Sequence, residues 1–138
     1  INMVMPEDVA GDGQKKVSET LVSASFTVGA FGRFASEKGF DVLIRAFEKV
    51  VQAIPDAKLV IWGDGYLRCA LEDLVQKENL AGSVLLIGYT QPIFFYVKQF
   101  DVRVMSSHTE GLPIILLEAM KYKVPILATD VESIAEVL

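Results

Sequence analysis

The sequence is poor in the residues that make disulfides and metal sites, because its 138 residues include one cysteine and one histidine. A single cysteine, Cys69, excludes an internal disulfide, and its place between Leu67 and Leu71 in a helical pattern predicts a small buried apolar side chain. The sequence contains no Asp-x-Asp pair and no His/Cys cluster of the type that binds metal ions. We interpret the one histidine, His108, as a loop residue and not as a catalytic base.

Positive charge is also scarce, and long apolar runs are missing. The chain has 13 basic and 18 acidic residues, a net charge of −5, so no overall positive field attracts nucleic acid or an anionic membrane surface. No run is long enough to span a bilayer, and the beginning of the chain does not resemble a signal peptide. We therefore expect a soluble cytoplasmic protein without nucleic-acid partners, in which any anionic ligand is held by local charges.

The length predicts one domain. With 138 residues, 51% of them hydrophobic, the chain can form one sizeable core but not two. Residues 1–24 mix turn formers and charges without a sustained period, which indicates a linker, and residues 25–138 form the domain. Because the chain starts at Ile1 and stops inside a predicted helix, we expect both ends to be cut.

From Ser25 onward, short apolar runs alternate with amphipathic stretches. We predict helices from about Asp41 to Ile54, from about Leu67 to Val75, from about Ile93 to Gln99, from Pro113 onward and at the end of the chain. Nearly continuous apolar strands separated by helices indicate an α/β fold with a doubly wound, parallel, Rossmann-like sheet. Ligands of such sheets bind at the carboxyl ends of the strands. The predicted strands are Phe26–Val28, Lys58–Trp62, Val84–Ile87, Val102–Met105 and Pro125–Ala128.

Two loops after strands carry weak signals. The loop from Gly29 to Gly39 matches neither a P-loop nor a GxGxxG fingerprint, but Arg33 and Lys38 within it suit a diphosphate. Both cations are equally consistent with solvated loop charges. The turn Gly63-Asp64-Gly65 is most simply a tight strand-to-helix turn in which Asp64 or a neighbour caps the helix.

The segment from Ser107 to Met120 carries the strongest signal. Pro113 suits the first turn of a helix, which leaves free backbone N–H groups from Gly111 to Ile114 at the ligand edge. Glu118 follows four consecutive aliphatic residues, where a carboxylate needs partners. Glu110 and Glu118 would repel a diphosphate, so as ligand residues they accept hydrogen bonds from hydroxyls. The alternatives are a loop charge for Glu110 and a partly exposed helix carboxylate for Glu118.

Taken together, these motifs resemble the C-terminal domain of glycosyltransferase family 4, the retaining enzymes of the GT-B fold. The resemblance runs from about Phe26 to the end of the chain and rests on several motifs in the same order. They are Gly32-Arg33 with Glu37-Lys38-Gly39-Phe40-Asp41, Gly63-Asp64-Gly65, Gly88-Tyr89, Glu110-Gly111-Leu112-Pro113 with Glu118-Ala119-Met120, and Pro125-Ile126-Leu127-Ala128-Thr129-Asp130.

The resemblance implies a donor-binding domain for a nucleotide sugar over residues 25–138, incomplete at its C-terminus. Arg33 and Lys38 would hold the diphosphate, and Glu110 and Glu118 would be the family's EX7E pair, contacting the transferred sugar and the ribose respectively. Gly32 and the backbone from Gly111 through Leu112 and Pro113 to Ile114 would complete the donor site, with Arg33, Lys38 and Glu110 as the catalytic set.

The reaction implied is transfer of a hexosyl or related group to an acceptor hydroxyl with retention of configuration. The resemblance also implies that no metal and no other cofactor takes part, which agrees with the absence of metal-binding motifs. A missing N-terminal domain would bind the acceptor, a lipid-linked or growing glycan, and could bring the full-length enzyme to the membrane periphery. This chain alone would be inactive. Two alternatives stay open: an epimerase-type GT-B domain acting on nucleotide sugars, and a non-catalytic nucleotide-binding or interaction domain.

Three departures from the family pattern stand out. Lys123-Val124 replaces a common glycine before the fifth strand, Glu132-Ser133 replaces a glycine pair that would approach the donor phosphates, and Ser106 stands where proline is common. The second departure bears most directly on donor binding.

Overall fold

In the computed structural model of the chain, residues 19–88, 99–108, 117 and 120–130 are described. The elements described from end to end are two α-helices, one short 3-10 helix, Ser36–Lys38, and five strands. The helices are α1 (Phe40–Ala53) and α2 (Arg68–Lys77). The strands are β1 (Thr27–Phe31), β2 (Lys58–Trp62), β3 (Val84–Ile87), β4 (Val102–Met105) and β5 (Ile126–Ala128).

The five strands form one parallel sheet in the order β3-β2-β1-β4-β5. This order confirms the Rossmann-like α/β class predicted from the sequence. Counting outward from β1, the chain first runs to one side through β2 and β3, and then returns to the other side with β4 and β5. The reversal lies between β1 and β4, and in open parallel sheets this is the place where ligands bind.

The larger hydrophobic cluster lies between the sheet and the two helices. Helix α1 presents Phe40, Leu43, Ile44 and Phe47 at the i, i+3, i+4, i+7 spacing, and all four are buried. Its last residue is Ala53, two positions before Pro55, a residue that cannot continue a helix. Burying one such side chain stabilises a fold by about 1.5–3 kcal/mol, so this stripe fixes α1 against the sheet.

The opposite face of the sheet carries an aromatic cluster with a buried cation. The rings of Phe31 and Trp62 stack at 4.8 Å, and Phe100 meets both rings edge to face. The guanidinium of Arg103 lies 4.3 Å from the centre of the Phe31 ring, and the residue is only 1% exposed. Burial lowers the pKa of Arg103 to about 9, which still leaves the group charged at neutral pH.

The strands β2, β3 and β4 have the bounds predicted from the sequence. Strand β5 begins one residue later than predicted, at Ile126, and β1 differs more. It extends to Phe31 and takes in Gly29, which the sequence places in a loop. A side chain at Gly29 would lie 2.6 Å from the ring of Phe100, so the glycine makes room for that ring in the middle of the strand. The loop after β1 therefore begins at Gly32.

The prediction of Cys69 as a buried residue is wrong, because the structure leaves this side chain exposed. Helix α2 turns Leu71 and Val75 toward the core, and Cys69 lies on the other side of the helix.

The remaining predicted segments are described in part. Residues 19–23, within the predicted linker, are helical, and Leu21 packs on the aromatic cluster. The predicted helix from Ile93 falls almost wholly outside the described residues, while 117, 120 and 121 in the helix predicted from Pro113 are helical. No helix in the described ranges is long and apolar enough to cross a membrane.

Candidate functional site

The candidate site lies at the carboxyl ends of β1 and β4, where the strand order reverses. The residues that follow β1 are Gly32 and Arg33, and those that follow β4 are Ser106, Ser107 and His108. Both cations predicted to bind diphosphate, Arg33 and Lys38, thus stand in the loop that leaves the central strand at this edge.

Three close approaches join the loop after β1 to the end of β4. The backbone N–H of His108 donates to the carbonyl oxygen of Glu37 at 2.7 Å, and the hydroxyl of Ser106 donates to the carbonyl oxygen of Lys38 at 2.9 Å. Gly39 lies against the carbonyl of Ser106 with no room for a side chain. Ser106 is buried, and a proline at this position would lack the hydroxyl that binds the Lys38 carbonyl.

Arg33 forms an ion pair with Glu37 at the solvent-exposed surface of this loop. Arg33 Nη2 lies 2.5 Å from Glu37 Oε1, and the side chain of Arg33 is 64% exposed. The hydrogen bond from Arg33, followed by a backbone hydrogen bond to Glu37, lowers the pKa of the Glu37 carboxyl below its ordinary value. Arg33 is therefore accessible to a ligand, and Glu37 competes for its donors.

Lys38 is held more closely than Arg33. Its aliphatic stem lies 3.3 Å from the place that a Cβ of Gly32 would take, so the absence of a side chain at Gly32 lets the stem cross the start of the loop. Its backbone N–H donates to Ala35 at 3.1 Å, and its carbonyl receives the Ser106 hydroxyl. The backbone of Lys38 is thus fixed by one hydrogen bond within its own loop and by another from the end of β4.

The end of β5 extends the same edge. The backbone N–H of Thr129 donates to the carbonyl of Met105 at 2.9 Å, and its hydroxyl donates to the carbonyl of Ser107 at 2.5 Å. These bonds hold the ends of β4 and β5 together directly beside the loop that carries Arg33 and Lys38. Ser106 and Thr129 are site-forming residues that sequence analysis did not select, because a serine or threonine in a loop gives no pattern of its own.

The turn after β2 differs from its simplest interpretation. Asp64 does not cap α2: the helix begins at Arg68, its N-cap residue is Leu67, and no side chain caps it with a hydrogen bond. The Asp64 carboxylate instead accepts from the N–H of Gly65 at 2.8 Å and lies 3.6 Å from Arg68. Arg68 also contacts Glu72 at 3.1 Å. The Asp64 side chain thus contacts the turn itself and the first turn of α2 through Arg68.

A groove of about 790 Å³ opens between α1 and α2 and reaches the site at one end. Leu67, Ala70, Leu71 and Leu74 form much of its lining. Ser36 and Glu37, which precede Lys38 in the loop after β1, line it as well. So does His108, whose backbone N–H donates to the carbonyl of Glu37. The groove is thus continuous with the loop after β1.

The remaining predicted site residues fall outside the described part of the chain. They are Glu110, Gly111, Leu112, Pro113, Ile114 and Glu118. Of the predicted set, the structure brings Gly32, Arg33 and Lys38 together at the end of β1. In the described ranges no three His, Cys, Asp or Glu side chains are grouped so that they could hold a metal ion.

The family model of glycosyl transferases, group 1, matches residues 13–138. The chain belongs to this family. A curated glycosyltransferase of Methanocaldococcus jannaschii, itself uncharacterised, is 35% identical to this chain over 124 residues. That match covers 90% of the chain and 30% of the relative, so the chain spans less than a third of the relative's length.

Solved GT-B glycosyltransferases share the fold of this family member. A point mutant of the Staphylococcus aureus protein TarM, in complex with fondaparinux, alpha-GlcNAc-glycerol and UDP, superposes with a TM-score of 0.74 at 31% identity, covering 77% of this chain and 22% of TarM. The C-terminal domain of a Francisella tularensis glycosyl transferase group 1 family protein, LpcC, superposes with a TM-score of 0.77 at 25% identity, covering 98% of this chain and 75% of that one.

Proposed function

We propose that this chain binds the nucleotide-sugar donor in a retaining glycosyl transfer and corresponds to the C-terminal, donor-binding part of a GT-B enzyme. The observation that carries the proposal is the junction at the strand-order reversal, where the loop bearing Arg33 and Lys38 is bonded to the end of β4. The likeness to the C-terminal domain of LpcC and to UDP-bound TarM supports the same assignment.

The charges of this loop suit a leaving diphosphate. Two cations, Arg33 and Lys38, and one carboxylate, Glu37, give the loop a local charge of +1 on a chain whose net charge is −5. As the bond to the sugar breaks, negative charge accumulates on the diphosphate, and cations already in place stabilise it without reorganisation. Arg33 can form paired hydrogen bonds to phosphate oxygens, whereas Lys38 supplies a point charge.

The carboxylates take the other parts of the donor in this proposal. Glu110 accepts from hydroxyls of the transferred sugar, and Glu118 accepts from the ribose, while amides from Gly111 to Ile114 bind sugar or phosphate oxygens. Glu110 follows His108 by two positions in the sequence. The backbone of His108 is bonded to the loop of Lys38, so the chain enters this segment from the diphosphate site.

The acceptor lies beyond the part of the enzyme that these residues form. We assign the acceptor, a lipid-linked or growing glycan, to an N-terminal domain, and we expect the isolated chain to show negligible transfer. The proposed reaction takes place in the cytoplasm and uses no metal. In the absence of a metal, Arg33 and Lys38 supply the positive charge that stabilises the leaving diphosphate.

A calorimetric titration of the full-length protein with UDP, GDP and ADP tests donor binding. We expect one of the three to bind, and the nucleotide sugar of the same base to compete for the same site. The absence of binding by all three would refute the proposal. Arg33→Ala/Lys38→Ala should weaken binding by about 100-fold or more, the effect of losing two charge-assisted hydrogen bonds. Lys49→Ala, which removes an exposed cation in the C-terminal half of α1, should leave the affinity unchanged.

Product analysis then decides between transfer and the alternatives. Proton NMR of the reaction mixture should show release of the nucleoside diphosphate together with a product of the donor's anomeric configuration. An epimerised nucleotide sugar would instead indicate an epimerase, and binding without any turnover would indicate a non-catalytic domain.

A further inference from the structure

The loop that carries Arg33 and Lys38 is bonded along its length to the turn after β2. The N–H of Gly32 donates to the carbonyl of Trp62, the last residue of β2, at 2.9 Å. The N–H of Phe34 donates to the carbonyl of Asp64, in the turn itself, at 2.9 Å. In return, the N–H of Leu67 donates to the carbonyl of Phe34 at 3.0 Å. These are backbone contacts between two loops that belong to different strands.

Phe34 is the anchor of this contact. It stands directly after Arg33, yet its side chain is fully buried, with the ring edge to face against Phe40 at 5.9 Å. A loop residue buried to this degree cannot move without opening the core around it. The backbone on the Arg33 side of the loop is therefore held by Phe34.

The glycines of the turn make this contact possible. A Cβ at Gly63 would overlap the carbonyl oxygen of Gly32, and a Cβ at Gly65 would lie 2.7 Å from the carbonyl oxygen of Phe34. Both oxygens belong to the backbone of the loop that carries Arg33 and Lys38, so a larger residue at Gly63 would displace that loop itself.

Tyr66 adds a third connection, nearer to Lys38. Its hydroxyl accepts the backbone N–H of Ser36 at 3.1 Å and donates to the Ser36 hydroxyl at 3.3 Å. The hydrogen bond with the Ser36 side chain, followed by the one with its backbone, lowers the pKa of Tyr66 below its ordinary value. The residue is 71% exposed, and its hydroxyl is the group that connects it to the loop.

We propose that the turn Gly63–Tyr66 is a positioning element for the diphosphate site, and that Tyr66 is a positioning residue that acts through Ser36 on the loop of Arg33 and Lys38. The inference rests on the proposed function, because it assumes that these two cations bind the donor diphosphate. Neither the turn nor Tyr66 touches the donor in this proposal. They fix the backbone so that the two cations meet the phosphates without rearrangement.

The test measures the UDP, GDP and ADP affinities of full-length variants, using the nucleotide that the wild-type protein binds. Tyr66→Phe removes only the hydroxyl and with it both hydrogen bonds to Ser36, and it should weaken binding about 3- to 10-fold, the net effect of one to two hydrogen bonds. Gly63→Ala should lower the rate of transfer by about 100-fold, since displacing a catalytic group by about 1 Å costs that much. Gly82→Ala is the matched control, because a Cβ at Gly82 meets nothing within 4 Å.

A second measurement separates positioning from general destabilisation. Leu80→Ala removes a buried side chain from the core cluster away from the site, and it should lower the thermal midpoint without changing nucleotide affinity. Tyr66→Phe should weaken nucleotide binding without lowering the thermal midpoint. In an Arg33→Ala/Lys38→Ala background, Tyr66→Phe should change the remaining transfer rate less than about twofold, because the groups it positions are absent.

The outcomes are distinct. If the wild-type protein binds none of the three nucleotides, both the proposed function and this inference are overturned. If it binds one and Tyr66→Phe and Gly63→Ala retain wild-type affinity and rate, only the positioning role is overturned. An unchanged effect of Tyr66→Phe after removal of both cations would likewise contradict it.

Discussion

The carbonyl oxygen of Ser106 occupies the space that a side chain at Gly39 would need, so the loop after β1 and the end of β4 touch through their backbones. Gly39 also has a φ of +64°, in the left-handed region that other residues adopt at a cost. One glycine therefore both ends the loop that carries Lys38 and permits the contact between the two strands.

Gly39→Ala should destabilise the protein. The left-handed conformation alone costs a residue with a Cβ about 1–2 kcal/mol, and the overlap with the Ser106 carbonyl adds to this. Urea unfolding of the variant measures the loss, with Gly82→Ala as the control that should stay within about 0.5 kcal/mol of wild type. Wild-type stability of Gly39→Ala would show that the loop and β4 separate easily.

Lys123→Gly should stabilise the protein. Lys123 has a φ of +56°, at the position where the family that the sequence resembles commonly has glycine. Relief of the left-handed strain exceeds the entropy that glycine loses on folding, and the expected gain is about 0.5–1 kcal/mol. Asn79, with the same φ, is the comparison, because asparagine tolerates this conformation and Asn79→Gly should gain less. Equal gains at both positions would contradict the explanation.

Arg33→Ala and Lys38→Ala should each lower the rate of transfer by the full-length enzyme by about two to three orders of magnitude, the effect of losing one preorganised electrostatic contact. Steady-state kinetics with the donor varied measure the loss. Lys58→Ala, at the opposite end of the sheet, should leave kcat and KM unchanged. Rates near wild type in both site variants would mean that Arg33 and Lys38 are ordinary surface charges without a role in transfer.

Glu118→Gln should weaken the binding of a free nucleoside diphosphate as much as that of the nucleotide sugar, by about 1.5–3 kcal/mol, because a charge-assisted bond to the ribose is lost. Glu110→Gln should weaken only ligands that carry the sugar. Calorimetric titration of both variants with both ligands measures the difference. Equal, sugar-independent effects would rule out separate roles for the two carboxylates.

The Arg33–Glu37 pair should make stability depend on pH at acidic values. The folded-state pKa of Glu37 lies below its ordinary value of 4.5, so the pair contributes stability above that value and the contribution is lost as the pH falls through the lowered pKa. An NMR titration should show the Glu37 carboxyl titrating below 4.5 in the wild type and closer to 4.5 in Arg33→Ala. The same midpoint in both proteins would mean that Arg33 does not bind Glu37 in solution.

The sequence predicted the strands well where apolar residues are continuous, as in β2, β3 and β4. It placed the end of β1 too early, because Gly29 and Ala30 have low strand propensity and only the Phe100 ring explains the glycine. Cys69 was predicted to be buried because it stands between Leu67 and Leu71 in a helical pattern. The helical rotation, which places it opposite Leu71, was the better guide.

For the site, the sequence predicted which residues follow β1 but not what holds them. Arg33 and Lys38 were selected by their charge within a glycine-containing loop, and the structure places that loop at the strand-order reversal. The contacts through Ser106, Phe34 and Tyr66 depend on residues 30 to 70 positions apart, which no local pattern records. The carboxylates Glu110 and Glu118 stay predictions.

The seam between β1 and β4 also has a consequence for how the chain folds. Thr27 and Asp101, bonded across this seam, are separated by 74 positions, whereas β1 meets β2 and β2 meets β3 after a single helical crossover each. Closing the longer loop costs more chain entropy and delays folding. Strands β1 to β3 can assemble around α1 and α2 beforehand, so a newly made chain gains the edge that would receive the diphosphate only when β4 docks.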